Sequence, residues 1–234
     1  MDKVQRHNLK HDKFVDQVGH SVEYATDHRS QVIKWGGIGL AAIVVAVGGY
    51  VYLGHQASVR AEDLNAAVRV QDAQIGPANA SEFVQSFPTA AEKTTAVSKA
   101  LTSVMDKYPS KREGLIARFY LGVLYADQGK VQEAENAWKP ITESGDADYA
   151  SQAKLSLAQL YETQGRAADA EKLLRSLLEH PTIMVSKEQA AIALAHALAK
   201  TKPEEARKLL EPLRTERSAV SRMAITALGE MSQK

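Results

Sequence analysis

The chain contains no cysteine. It therefore holds no disulfide, no thiol nucleophile and no thiolate metal site, and it is compatible with oxidising and reducing compartments alike. Charge of one sign is also missing in bulk: 29 Lys and Arg stand against 28 Asp and Glu. A formal charge of +1 gives no electrostatic basis for a broad nucleic-acid footprint, and no nucleic-acid partner is expected. The motifs of common catalytic sites are absent as well. There is no P-loop, no G-x-G-x-x-G, no H-E-x-x-H and no G-x-S-x-G nucleophile turn. The chain reads as a non-enzyme with no cofactor and no metal. At 44% hydrophobic and 24% charged residues, it is neither collagen-like nor disordered.

What is present is unevenly placed. From Trp35 to Gly54 run 20 residues without a charged side chain. As a helix they span about 30 Å, the thickness of a bilayer hydrocarbon core. Trp35 at one end and Tyr50 and Tyr52 near the other suit the two interfaces. Polar residues 1–34 come first, which is too long a start for a cleaved signal peptide, so a retained signal anchor is expected. Lys3, Arg6, Lys10, Lys13, Arg29 and Lys34 precede the span, whereas residues 55–88 carry only Arg60 and Arg69. The positive-inside rule then places residues 1–34 in the cytoplasm and the rest outside.

Small-xxx-small pairs, Gly37 with Ala41 and Ala42 with Ala46, would let another membrane helix approach closely, although glycine is common in such spans in any case. In the cytoplasmic segment, Phe14, Val15, Val18 and Val22 form a short apolar stripe interrupted by Gly19. That stripe is too short for a core and is expected to dock on the membrane or on a partner. His7 and His11 are spaced i, i+4 without a fixed third ligand, and are read as solvated.

Beyond the span, residues 55–76 read as a helix continuing outward with Leu64, Val68 and Ile75 on one side, broken by the segment IGPANAS. The expected divisions are a cytoplasmic segment 1–34, a transmembrane helix 35–54, a linker helix and loop 55–89, and a helical domain 90–234. Within that domain LGVLYADQGKVQEAENAWKPI, from Leu121, aligns without a gap on LAQLYETQGRAADAEKLLRSL, from Leu157. The offset is 36 residues. It pairs Gly122 with Ala158, Tyr125 with Tyr161, Gly129 with Gly165, Ala134 with Ala170, and Trp138 with Leu174. Each unit is expected to be two helices joined at the glycine. The small alanine admits the second helix, and the large residue four positions on fills the space between units. A weaker third copy follows, with Ala197 at the tyrosine position, Thr201 at the glycine position and Pro203 opening its second helix. A preceding half-unit ends at Pro109, and SAVSRMAITALGEM is expected to cap the stack. Glu179-His180-Pro181 is expected at a helix end, where histidine meets the helix dipole.

These residues resemble the tetratricopeptide repeat, Leu-Gly-x2-Tyr followed by Ala-x3-aromatic and Pro, with Arg118 where that family usually has Trp. The resemblance implies an all-α fold: a single N-terminal transmembrane helix followed by a tetratricopeptide-like α-solenoid. It also implies a protein-binding groove at Phe119, Val123, Leu155, Gln159, Ala191 and Ala195, mostly apolar or small and open to a partner segment or filled by the chain's own linker helix. Asp at Phe119 and Val123 is expected to abolish capture in a domain that stays folded.

The layout as a whole, including a HQ-x3-R-A-x2-L helix after the span, looks like the ancillary Sec translocon subunit family of bacteria. That resemblance implies an inner-membrane protein with a periplasmic repeat domain. Its partners would be Sec translocon subunits, a membrane-anchored chaperone or exported polypeptides. A scaffold in another envelope assembly, for outer-membrane protein insertion or cell division, is the second reading. Self-association through the small-residue face, giving a homo-oligomer, is the third.

Overall fold

In the computed structural model the described residues are 28–76, 85–215 and 219–232. The readings made for His7, His11, Phe14, Val15, Val18, Gly19 and Val22 lie outside them. The chain divides into two compact units, Met1–Val59 and Arg60–Lys234.

The first unit contains most of a helix α1, Arg29–Gln71, 43 residues long. It is long and apolar enough to cross a membrane, and none of its most apolar stretch is buried. Trp35, Leu40 and Val45 are 72%, 65% and 73% exposed. Side chains of this kind face outward all round the helix, and in water each forfeits the stabilisation that burial brings.

The second unit begins with the last turns of α1. Leu64 and Ala67 are buried against Val97, Leu101 and Val104 of α2 (Ala90–Lys107) and Ala117 and Leu121 of α3 (Arg112–Asp127). Polar contacts run alongside: Arg60 Nε lies 3.3 Å from Glu113, and Lys107 Nζ and the Tyr108 hydroxyl donate to Asp63 Oδ2 at 2.7 and 2.6 Å. The hydrogen bond from Lys107, then that from Tyr108, holds the Asp63 carboxyl below its usual range. The outer part of the expected linker helix is thus integral to the domain, which begins at Arg60 rather than at residue 90. Between α1 and α2 lies a feature the sequence gives no alternation to foresee: β1 (Gln74–Ile75) pairs in parallel with β2 (Ser86–Phe87).

Everything that follows is helical. α4 (Val131–Trp138) continues into a 3-10 turn Lys139–Glu143, and α5 (Ala147–Thr163) and α6 (Ala167–Glu179) come next. α7 (Lys187–Leu198) and α8 (Pro203–Leu210) are followed by a second 3-10 turn, Glu211–Thr215, and by α9 (Ala219–Ser232). Consecutive helices pack as hairpins: α3 with α4, α5 with α6 and α7 with α8. α9 packs on α7, α8 and the second 3-10 turn, burying Ala224 and Ala227. Side-chain oxygens start three helices, with Thr89, Asp146 and Ser186 accepting from the amides of Glu92, Tyr149 and Gln189. Thr89 and Glu92 also pair through their side chains, as in a capping box. One apolar core runs from Phe119 through Leu157, Leu174 and Leu194 to Ala227.

Candidate protein-binding site

The turns come first, because they set the pitch at which side chains recur. Gly129 and Gly165 have φ of +70° and +74°, a left-handed conformation that costs a side-chain-bearing residue strain. Each is followed by an amide that donates to the repeat tyrosine's carbonyl: Lys130 to Tyr125 at 2.9 Å and Arg166 to Tyr161 at 2.8 Å. The third hairpin has Thr201 and no left-handed residue. There Lys202 N donates to Leu198 at 2.7 Å, and Pro203 opens α8.

From the second and third turns a cation reaches back to the preceding hairpin. Glu135 accepts from the Tyr161 hydroxyl at 3.0 Å and from Arg166 Nη1 at 2.9 Å, while the Arg166 guanidinium lies 3.8 Å from the Tyr161 ring centroid. Burial, then the hydrogen bond with Glu135, pushes the Tyr161 hydroxyl up. Thirty-six residues on, Glu171 takes Glu135's place and Lys202 takes that of Arg166, at 2.8 and 3.0 Å. Hydrogen bonds from Lys202 and Arg175 hold the Glu171 carboxyl down. Arg175 extends the network to Glu205 of α8. In the sequence the one signal of this link is that Glu135 with Glu171 and Arg166 with Lys202 fall at the same 36-residue spacing as the tyrosines.

The expected groove residues separate into two kinds. Phe119, Leu155, Ala191 and Ala195 are buried, Val123 is half-buried and Gln159 is exposed. Phe119 is 8% exposed, with ring centroids of Tyr120, Trp138 and Tyr149 at 6.0, 6.2 and 5.8 Å. It joins one hairpin to the next and is not an open docking position, so Asp there buries a charge and unfolds the domain. The linker helix does not fill a groove at these positions either; its buried residues Leu64 and Ala67 belong to the separate cluster with α2 and α3.

Open concave space lies at the other end of the helical array. One cavity of about 290 Å³ is bounded by Leu155, Gln159 and Glu162 of α5, by Ile192 and His196 of α7, and by Met223 of α9. A second, of about 790 Å³, is bounded by Glu162, Ala195, His196, Ala197, Glu230 and Met231 among others. The two share Glu162 and His196. Ala197 stands where the first two hairpins have tyrosine, so the space beside it lacks the ring that Tyr161 supplies one unit earlier. Alanine, leucine, isoleucine and methionine make up just over half of the walls, and Glu162, His196, Lys200 and Glu230 are among the polar and charged groups between them. Of the expected positions, Leu155, Gln159 and Ala195 border these cavities.

In α1, a Cβ added at Gly37 would meet nothing within 4 Å. Gly37 and Ala41 lie one above the other, as do Ala42 and Ala46. Residues five apart are separated by about 140° around a helix, so the two pairs mark two faces, not one. His180 ends α6 as expected, its Nδ1 3.3 Å from the Ser176 carbonyl. No group of three metal-ligating side chains occurs among the described residues. No family model and no curated protein matches the chain.

Proposed function

We propose that this chain is a membrane-tethered, tetratricopeptide-like α-solenoid that binds other proteins and assists exported polypeptides or chaperones beside the Sec translocon of the bacterial inner membrane. The observation that carries the proposal is the recurrence, at one 36-residue spacing, of left-handed glycine turns and of the Glu-to-cation link between hairpins, in a chain that also holds an unburied membrane-length helix. Recurrence of that kind makes a stack of repeats, and such stacks serve as binding surfaces with no catalytic apparatus. α1 crosses the bilayer with residues 1–34 in the cytoplasm, and the helical domain lies in the periplasm. The partner's apolar segment occupies the cavities around Gln159, Ile192 and Met223, next to the hairpin where Ala197 has replaced tyrosine.

A photo-crosslinking residue at Gln159 tests the site in intact membranes. Exported chains or a periplasmic chaperone should crosslink there and not at exposed Lys172 on α6. Equal labelling at both positions would refute the groove.

A further inference from the structure

The turn between α6 and α7 carries a feature that the groove does not use. Ile183 is 94% exposed and Met184 is 40% exposed, side by side at the tip. The backbone beneath them is held in place. Thr182 N donates to the Val185 carbonyl at 2.9 Å, Val185 N donates to Thr182 Oγ1 at 3.1 Å, and the hydroxyls of Thr182 and buried Ser151 lie 2.7 Å apart. Val185 is fully buried and Ser186 caps α7, so the tip is anchored on its following side as well. An apolar pair on a braced turn has its shape fixed before any contact, so little ordering entropy is lost on binding.

The size of the feature selects its occupant. A stable protein interface takes about 800 Å² from each partner, and two side chains at a turn supply a small part of that. A lipid surface requires less. With α1 as tether, insertion of a few methylenes becomes an intramolecular event, so a contact too weak to hold a free protein at the bilayer is populated. We infer that Ile183 and Met184 insert into the lipid interface as a second, reversible membrane contact that holds the helical domain against the bilayer. The inference rests on α1 being a membrane span.

The absence of cysteine allows single fluorophores to be placed on the full-length chain in vesicles of phosphatidylcholine and phosphatidylglycerol, with and without lipid-borne quenchers. Labels go at Lys187→Cys beside the tip, Lys172→Cys on the exposed side of α6, and Ala46→Cys in the span. Quenching is expected at Ala46→Cys and Lys187→Cys and not at Lys172→Cys. Ile183→Ser with Met184→Ser should bring the Lys187→Cys label down to the Lys172→Cys level while the helical circular dichroism stays unchanged. The inference is overturned if Lys187→Cys is no more quenched than Lys172→Cys while Ala46→Cys is quenched, or if quenching survives the serine pair. It is also overturned if the Lys187→Cys label is shielded from water yet untouched by lipid quenchers, which would mean that a second copy or another protein covers the tip. Lack of quenching at Ala46→Cys would remove the membrane tether itself, and this contact with it.

Discussion

Gly122 and Trp138 illustrate how far single positions can be read. The alignment pairs them with Ala158 and Leu174, a small residue on the first helix and a large one on the second in each hairpin. What the alignment does not give is the contact. The Trp138 indole donates to the Phe119 carbonyl at 3.0 Å and lies so close to Gly122 that an added Cβ would stand 2.3 Å from Nε1. Gly122→Ala should destabilise the domain by about 1–3 kcal/mol, the usual cost of overpacking. Adding Trp138→Leu, which copies the second hairpin, should recover part of that loss, so that urea midpoints of the two singles and the double are non-additive. Gly165→Ala should cost about 1 kcal/mol or more for its left-handed backbone, whereas Gly145→Ala, with open space around it and no positive φ, should be close to neutral. The acid limb of stability has a sign fixed by Glu171. Its folded pKa lies below the unfolded value, so its contribution is present above the ordinary carboxylate range. That contribution is lost as pH falls through the folded value. Glu171→Gln should flatten the decline of the urea midpoint in that window; an unchanged slope would remove the residue from the account.

At the scale of elements, periodicity shows the helices and not their allegiance. The apolar run from Trp35 to Gly54 and the outward positions Leu64 and Val68 are plain in the sequence. That residues from Arg60 onward belong to the domain is not, because it depends on Asp63 meeting Lys107 and Tyr108, more than forty positions away in the chain. A chain beginning at Arg60 should therefore fold cooperatively. One beginning at Ala90 exposes Val97, Leu101 and Val104 and should lose helical signal or aggregate, which circular dichroism and light scattering would register. Burial divides the groove positions that the family pattern implies: Gln159 is exposed, while Phe119 is enclosed by aromatic rings from its own and the neighbouring hairpins. The turns at Gly129 and Gly165 were readable because only glycine suits their φ. The cavities beside Ala197 were not, since a missing side chain marks a vacancy only once its neighbours are in place. Gln189→Arg, at an exposed position on the cavity wall, should weaken crosslinking of partners from Gln159 and leave the free energy of urea unfolding within about 1 kcal/mol of the native chain.

For the whole molecule, the proposed orientation rests on the division of charge. The uncharged span separates six cations and five acids in residues 1–34 from a balanced remainder, so the net +1 belongs to the N-terminal segment. Under the proposed function, a neutral domain would select partners by shape and short-range contact, not by long-range attraction. A reporter active only in the cytoplasm should be silent when fused after Lys234 and active when fused before Met1. The central claim, a protein-binding repeat domain held beside the Sec channel, is tested most directly from within the membrane. Photo-crosslinking residues at Ala41 and Ala46, one on each small-residue face of α1, report which helices lie against the span in living cells. Crosslinks to subunits of the Sec channel are the predicted result. Crosslinks instead to outer-membrane assembly or division proteins, with none to the Sec channel, would contradict it.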